Sequence, residues 1–482
     1  MIKAFNTLLS MCYQKGALTI PQRSIFRAYC PAGIVLFVFF ALFQPQEAAG
    51  ATFTPSINAQ LGYTDNVRFQ DPPCGDAYVT VSPGFKLETG RPSRRLLAQG
   101  KLDYSEYYRL SEYSRIEGGF FNLGYLHQFS PKTQIQLRND FSSTYDAPVE
   151  DLVATYGAPQ GLPDEITLPT KDTPRELERI RTKGGRRDQN TTSVQGQHRF
   201  GRQDLIFAGY SYTRTRNTDD DAEGSDTHRV KGGLTKRLGP LWRAEMNGSG
   251  ETTDYERSAT VDRYRATASL VRMLGPKKEA MVSLGYDDVR SNDTDPDKRQ
   301  ARSYKIYSAS LGYTHHVSPT LSWGASGGWS SVDGEKQGNL AAGDNYPTFY
   351  GWLTYKARRW SGYFYAQHSL GEYDVYGDNS GLTLTSRIGG RLTYQLARHW
   401  TLNLNAAYVR NNYKQDPTLA GTDQSGDVDS ILAGLSLSWH MARHVWLSLD
   451  YRFIDNDGEY DIDDRRQNKV VLMLSVDHPY RW

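Results

Sequence analysis

Lys469-Val-Val-Leu-Met-Leu-Ser-Val-Asp-His-Pro-Tyr-Arg-Trp482 closes the chain, and its parity decides the fold. Val470, Leu472, Leu474, Val476, Tyr480 and Trp482 fall on one face of an extended strand, and Val471, Met473, Ser475 and Asp477 fall on the other. The first face is apolar from Val470 to Val476 and ends on an aromatic ring. Taken alone, the stretch fits the last strand of a soluble sandwich or of a closed membrane barrel. The rest of the sequence separates the two.

The same period of two runs through the body of the chain. Ile57, Ala59, Leu61 and Tyr63 alternate with Asn58, Gln60, Gly62 and Thr64. Val79, Val81, Phe85 and Leu87 alternate with Thr80, Ser82, Gly84 and Lys86. Trp400, Leu402, Leu404, Ala406 and Tyr408 alternate with Thr401, Asn403, Asn405 and Ala407. Leu447, Leu449, Tyr451 and Phe453 alternate with Ser448, Asp450 and Arg452. Such alternation marks strands with one apolar face. The runs are about 10–15 residues long, against about 5–6 for most globular strands and about 9–11 needed to cross lipid. From Thr52 onward no segment of the chain's body has a convincing helical period.

The connections alternate as well. One set is short: 130–132, 201–203, 239–240, 275–277, 318–319, 357–359, 397–399 and 442–444. The other is longer and rich in Asp, Asn, Gly and Ser: 217–226, 291–300, 333–345, 415–427 and 455–464. With Gly90–Arg94 there are nine short turns, which predicts about 20 strands (18–22) in an all-β, antiparallel, up-and-down transmembrane barrel. Trp242, Trp323, Trp360 and Trp400 follow short turns, while Tyr63, Tyr104, Tyr145, Tyr212, Tyr286 and Tyr408 mark the opposite strand ends. Aromatic rings with a polar edge favour a membrane interface, so two girdles are expected. Trp446 breaks this pattern, because the parity of Leu447 and Leu449 turns it inward. Pro83-Gly84 is expected to kink the second strand, and Pro479 to release the last three residues from the ladder.

Composition agrees with a barrel. A mean hydropathy of −0.62 looks soluble, yet a transmembrane barrel gives the same value because only alternate residues meet lipid. The net charge of +2 argues for no nucleic-acid partner, and Cys12, Cys30 and Cys74 make no disulfide framework.

Residues 32–43 are a 12-residue apolar run, too short for a spanning helix of about 20 residues. Lys3, Lys15, Arg23 and Arg27 precede it and Ala49-Gly50-Ala51 follows it. Residues 1–51 are therefore expected to be a secretory signal peptide, leaving 52–482 as one barrel domain. Cleavage after Ala51 leaves 52 basic and 53 acidic residues, net −1. The first strand begins so close to that site that no plug is expected between them. The segment 147–190, with its prolines and glycines, is expected to be a long external or lumen-inserted loop.

Parity assigns Lys101, Arg138, Lys231, Arg243, Arg263, Arg265, Arg387, Arg391 and Arg452 to the lumen, with Tyr363, Tyr365, Asn403 and Asn405. Asp103, Asp140, Glu245, Asp287 and Asp450 share that face. These residues are expected to line a pore whose charge leans positive. The competing reading is that the charges pair across strands and only hydrate the wall. Catalytic, cofactor and metal sites are expected to be absent. His315-His316 puts its rings on opposite faces of a strand. Asp219-Asp220-Asp221 falls in an expected external loop, where carboxylates are usually solvated, and Asp455-Asn456-Asp457-Gly458 has Arg466 where a calcium loop needs Glu at its twelfth position. Gly324-Ala325-Ser326-Gly327-Gly328 has the Gly-x-Ser-x-Gly spacing but sits inside a strand, where a nucleophile elbow cannot form.

Two resemblances add to this. The final strand, ending on Trp482, resembles the C-terminal assembly signal of bacterial outer-membrane barrels, which implies contact with outer-membrane lipids and the barrel-assembly machinery. Thr54-Pro55-Ser56-Ile57, Leu61-Gly62-Tyr63-Thr64-Asp65-Asn66-Val67, Val81-Ser82-Pro83-Gly84-Phe85 and Leu102-Asp103-Tyr104 resemble the opening of the outer-membrane beta-barrel porin 2 family, some of whose members accompany exopolysaccharide and exosortase gene clusters. That resemblance implies a non-enzymatic barrel channel in the outer membrane of a Gram-negative bacterium, assisting exopolysaccharide export beside periplasmic export proteins. A general small-solute porin and a barrel enzyme acting on lipid or polysaccharide are the alternatives.

Overall fold

A computed structural model describes residues 50–67, 73–91, 93–111, 115–144, 186–201, 204–217, 224–256, 260–291, 303–334, 345–375, 378–413, 427–458 and 465–481. The expected leader up to residue 49, the segment 145–185, Asp219–Asp221 and Trp482 lie outside the described residues.

The chain forms twenty long strands and one two-residue strand. The first ten are β1 (Thr52–Thr64), β2 (Asp76–Arg91), β3 (Arg94–Tyr107), β4 (Arg115–Ser130), β5 (Thr133–Thr144), β6 (Arg187–Arg199), β7 (Leu205–Asn217), β8 (Ser225–Arg237), β9 (Trp242–Tyr255) and β10 (Val261–Gly275). Then come β11 (Lys278–Ser291), β12 (Tyr304–Ser318), β13 (Leu321–Gly334), β14 (Asn345–Lys356), β15 (Trp360–Val375) and β16 (Asp378–Ala397). The last are β17 (Trp400–Tyr413), β18 (Asp427–Ala442), β19 (Val445–Gly458), β20 (Arg465–Asp477) and β21 (Tyr480–Arg481). Each long strand pairs antiparallel with its neighbours in sequence, and β1 pairs with β20 as well as β2. The sheet is therefore a closed barrel without a free edge. All nine expected short turns occur. Five of them share one geometry, a register shift just before the turn, at Gln128/Ser130, Met273/Gly275, His316/Ser318, Gln395/Ala397 and His440/Ala442.

Closure joins the opening and closing stretches of the sequence. Ser56 pairs with Asp477, Leu61 with Leu472 and Thr64 with Lys469. The expected release at Pro479 does not happen. β21 keeps the same register, with Phe53 opposite Tyr480 and Thr52 opposite Arg481. The reason lies in the direction of the missing donor. The Asp477 N–H points to β19 and bonds His444 O at 3.1 Å, and the His478 N–H points to β1 and bonds Pro55 O at 3.2 Å. Alternation turns Pro479 back toward the β19 side, where β19 has already ended opposite Val476. No ladder bond is lost. Pro83 likewise leaves β2 continuous. The ladder to β1 passes through it unbroken, while the ladder to β3 omits Ser82 and Pro83 and resumes with Gly84 opposite Lys101.

The register sorts side chains into two faces. Leu61, Leu472 and Leu449 lie side by side on one of them. This face also carries exposed Ile57, Tyr63, Val79, Leu284, Leu311, Phe364, Ile388 and Leu474. A row of exposed Leu, Ile and Val belongs on the outside of a barrel immersed in hydrocarbon. At the short-turn end, Trp400 stacks on Trp439 with ring centroids 5.2 Å apart, Trp360 on Tyr394 at 3.9 Å, and Arg272 sits 5.3 Å over the Trp242 ring. At the other end, the hydroxyls of Tyr212, Tyr286 and Tyr408 donate to Asp226, Asp288 and Asp429 at 2.8–3.0 Å. Trp446 does point inward, stacked on His440 at 5.4 Å.

Inside that second end, Val261, Val289, Tyr304, Ile306, Val332 and Leu382 form an apolar cluster, joined by Leu370. Leu370 and Leu382 belong to the β15–β16 ribbon, which runs past the last pairing of β15 with β14 at His368 and of β16 with β17 at Thr383.

Closure makes a direct prediction. In a Cys74→Ser background, Gln60→Cys with Met473→Cys forms a disulfide in the folded protein, seen as faster migration of the unfolded chain on a denaturing gel. Gln60→Cys with Ser448→Cys, one strand further round, forms none. No link between 60 and 473 contradicts the closing pair.

Candidate functional site: the interior wall

The face opposite the apolar belt carries the charges. Here the register places all eleven side chains expected to line a pore: Lys101, Arg138, Lys231, Arg243, Arg263, Arg265, Tyr363, Tyr365, Arg387, Arg391 and Arg452. They do not converge on one point. They spread over eight strands, from β3 to β19.

Between β3 and β11 most of these cations are ion-paired. Two-residue spacing along one strand brings Lys101 to 2.9 Å from Asp103, Arg138 to 2.6 Å from Asp140 and Arg243 to 2.7 Å from Glu245. Cross-strand register builds a denser group on β8–β11. Arg265 gives two N–H bonds to Asp287, of 2.7 and 3.0 Å. Arg263 lies 3.7 Å from both Asp287 and Glu251, Arg229 lies 3.8 Å from Glu251, and Arg243 also reaches Glu279 at 3.6 Å. The side chains of Arg263, Asp287 and Glu251 are only 9–14% exposed. Charges held this dry are stable only when paired. This half of the wall is thus a network of ion pairs, and Glu251, Glu279 and Arg229 extend the set read from the sequence.

β14–β17 are built differently. Tyr363 and Tyr365 stack with centroids 5.8 Å apart, and the Tyr363 hydroxyl meets that of Tyr350 at 2.9 Å. Trp352 pairs across the ladder with Tyr365, and Tyr363 with Arg391. Thr393 donates to the side-chain oxygen of Asn403 at 2.8 Å. Tyr350 and Trp352 escaped the sequence reading because β14 carries apolar or aromatic side chains on both faces, Phe349 and Leu353 on one and Tyr350 and Trp352 on the other. Gly324–Gly328 lies wholly inside extended β13, with Ser326 opposite Gly312 and Tyr350, so no strand-to-helix turn surrounds that serine.

No family model matches the chain, and no curated protein matches it, so the porin 2 resemblance stands on its quoted residues alone. Solved structures do match. The FrpB iron transporter of Neisseria meningitidis (F5-1 variant) is similar at 10% identity with a TM-score of 0.52, over 88% of this chain and 82% of that one. The copper transporter OprC is similar at 10% identity with a TM-score of 0.50, over 88% and 80%. At such identity the likeness carries the barrel fold and nothing finer.

The ion-pair network predicts a stability effect. Asp287→Asn leaves Arg263 and Arg265 without their shared carboxylate and lowers unfolding free energy in urea by about 3 kcal/mol, in the range for breaking a buried pair. Adding Arg265→Gln restores part of the loss. An unchanged Asp287→Asn protein would show that the group is solvated.

Proposed function

We propose that this chain is a non-enzymatic β-barrel channel of the outer membrane that assists exopolysaccharide export by passive passage through a hydrated, charged interior. One observation carries this reading: a closed ring of twenty strands has an apolar outer face and an inner face of charged, amide and hydroxyl side chains. Barrels of 16–18 strands already leave an aqueous channel, and diameter grows with strand number. The aromatic residues at both strand ends support placement across a membrane. The leader-like residues 1–51 support export, and the short-turn end then faces the periplasm, where export proteins supply the driving force. The terminal strand is the element the assembly machinery recognises. The motifs from Thr54 to Tyr104 support the polysaccharide association.

Reconstitution of the purified full chain in a planar bilayer tests the channel. Stepwise ionic conductance is the expected result. A folded barrel that stays silent, including after deletion of 147–185, contradicts it. Loss of secreted polymer in a deletion strain supports export, whereas normal secretion assigns the channel to small solutes instead.

A further inference from the structure

One patch of the interior face is apolar. Val261, Val289, Tyr304, Ile306 and Val332 share the parity of Arg263 and Asp287 across β10–β13, so they face the inside of the barrel. Register sets them side by side, with Tyr304 opposite Val289 and Val332 opposite Ile306. An apolar shelf inside an aqueous channel would meet water, and an apolar patch of this kind marks a surface that something else covers. Here Val289 is 0% exposed and the other four are at most 8% exposed.

The cover is the β15–β16 ribbon. β15 leaves β14 after His368, and β16 joins β17 only from Thr383. Between those points, at 369–375 and 378–382, the two strands pair only with each other among the described residues. Leu370 and Leu382 have the parity of Phe364 and Ile388, which are exposed on the outer face of the same two strands. A ribbon that simply prolonged the wall would aim both leucines away from the barrel. Instead both pack on the shelf, and Leu382 is only 2% exposed. The outward face of the ribbon meets the inward face of β10–β13 only when the ribbon is tucked inside the mouth. There it forms a second layer and takes up part of the opening at the long-connection end.

We infer that the β15–β16 ribbon, held by Leu370 and Leu382, is the size-determining element of the channel: it narrows the mouth and sets which solutes pass. This deepens the channel reading and rests on it for conduction. The hold is local and apolar. Beyond the split the ribbon has no ladder to β14 or β17, so its place against the shelf depends on side-chain packing rather than on lateral backbone pairing. A side-chain amide in place of Leu382 would be shut among Val, Ile and Tyr side chains, away from the water it needs. The ribbon then moves off the shelf and the mouth widens, while the closed ladder from β1 to β20 is untouched.

Thiol labelling of the full chain in proteoliposomes, in a Cys74→Ser background and with a small, water-soluble maleimide, reads the ribbon directly. Ile306→Cys places a thiol under the ribbon, where it is protected. Adding Leu370→Gln and Leu382→Gln raises its labelling rate by at least about tenfold, as expected when a local cover is released. Leu382→Met, close in volume, keeps the protection. Ser310→Cys, further along the same interior face of β12, labels at one rate with either ribbon. In planar bilayers the Leu370→Gln, Leu382→Gln barrel gives larger unitary steps than the parent. Heat-dependent gel mobility checks that each variant is folded. Replacing 370–382 by a short Gly-Ser turn gives the same two results by a route that buries no amide. Equal labelling at position 306 in parent and variants, or released labelling with unchanged unitary steps, overturns the inference. Labelling needs no conduction, so the two readings fail separately. A conducting barrel whose thiol at 306 stays protected in both variants removes the ribbon's role and keeps the channel. A barrel that labels as expected and never conducts removes the channel, and the size limit with it, and keeps only the tucked ribbon.

Discussion

The pairing of β1 with β20 is the constraint on which the rest depends. A sheet that ended at Thr52–Thr64 on one side and Arg465–Asp477 on the other would expose two rows of unpaired N–H and C=O groups. In hydrocarbon each unsatisfied group costs several kcal/mol, so only a closed ladder is tenable there. Closure also settles the last residues. Pro479 is tolerated because its nitrogen faces the side where β19 has ended, and Tyr480 and Arg481 return to β1. The two ends of the domain, some 400 positions apart in sequence, hold one another through a ladder that includes the Asp65–Asn468 contacts at 2.6 and 2.7 Å.

Once the ring closes, the period of two divides the molecule into an outside and an inside. The described wall is one sheet thick except where the β15–β16 ribbon packs Leu370 and Leu382 against interior side chains. Outer side chains stabilise by facing an apolar surrounding. Inner ones must satisfy their own polarity. On β8–β11 they do so with carboxylates, and on β14–β17 with aromatic rings, amides and hydroxyls. The two sectors of the described wall therefore differ in chemistry, one knit by ion pairs and the other by aromatic, amide and hydroxyl contacts.

Much of this was legible in the sequence. β1, β2, β17 and β19 alternate cleanly, and short turns against long connections yielded the strand number. The same-strand pairs Lys101–Asp103, Arg138–Asp140 and Arg243–Glu245 could be read as two-residue spacings. Cross-strand pairs could not, because Arg265 meets Asp287 only through a register that the linear chain does not display. β14 carries Phe349 and Leu353 on one face and Tyr350 and Trp352 on the other, so hydropathy alone does not say which rings point inward. β6 fails in the opposite way. It is polar on both faces, and Asn190 and Thr192, on the outer parity, both accept bonds from Asn139 at 2.8 Å. Pro479 misled because a proline's effect depends on which side its nitrogen faces, and that too is a matter of register.

The central claim is that one parity of each strand meets lipid and the other meets water. Single cysteines along β17, placed at Leu402, Asn403, Leu404 and Asn405 in a Cys74→Ser background, test it in proteoliposomes with a small, water-soluble maleimide. Modification is expected at 403 and 405, with protection at 402 and 404. Equal labelling at all four positions, or labelling of the leucine positions alone, would contradict it.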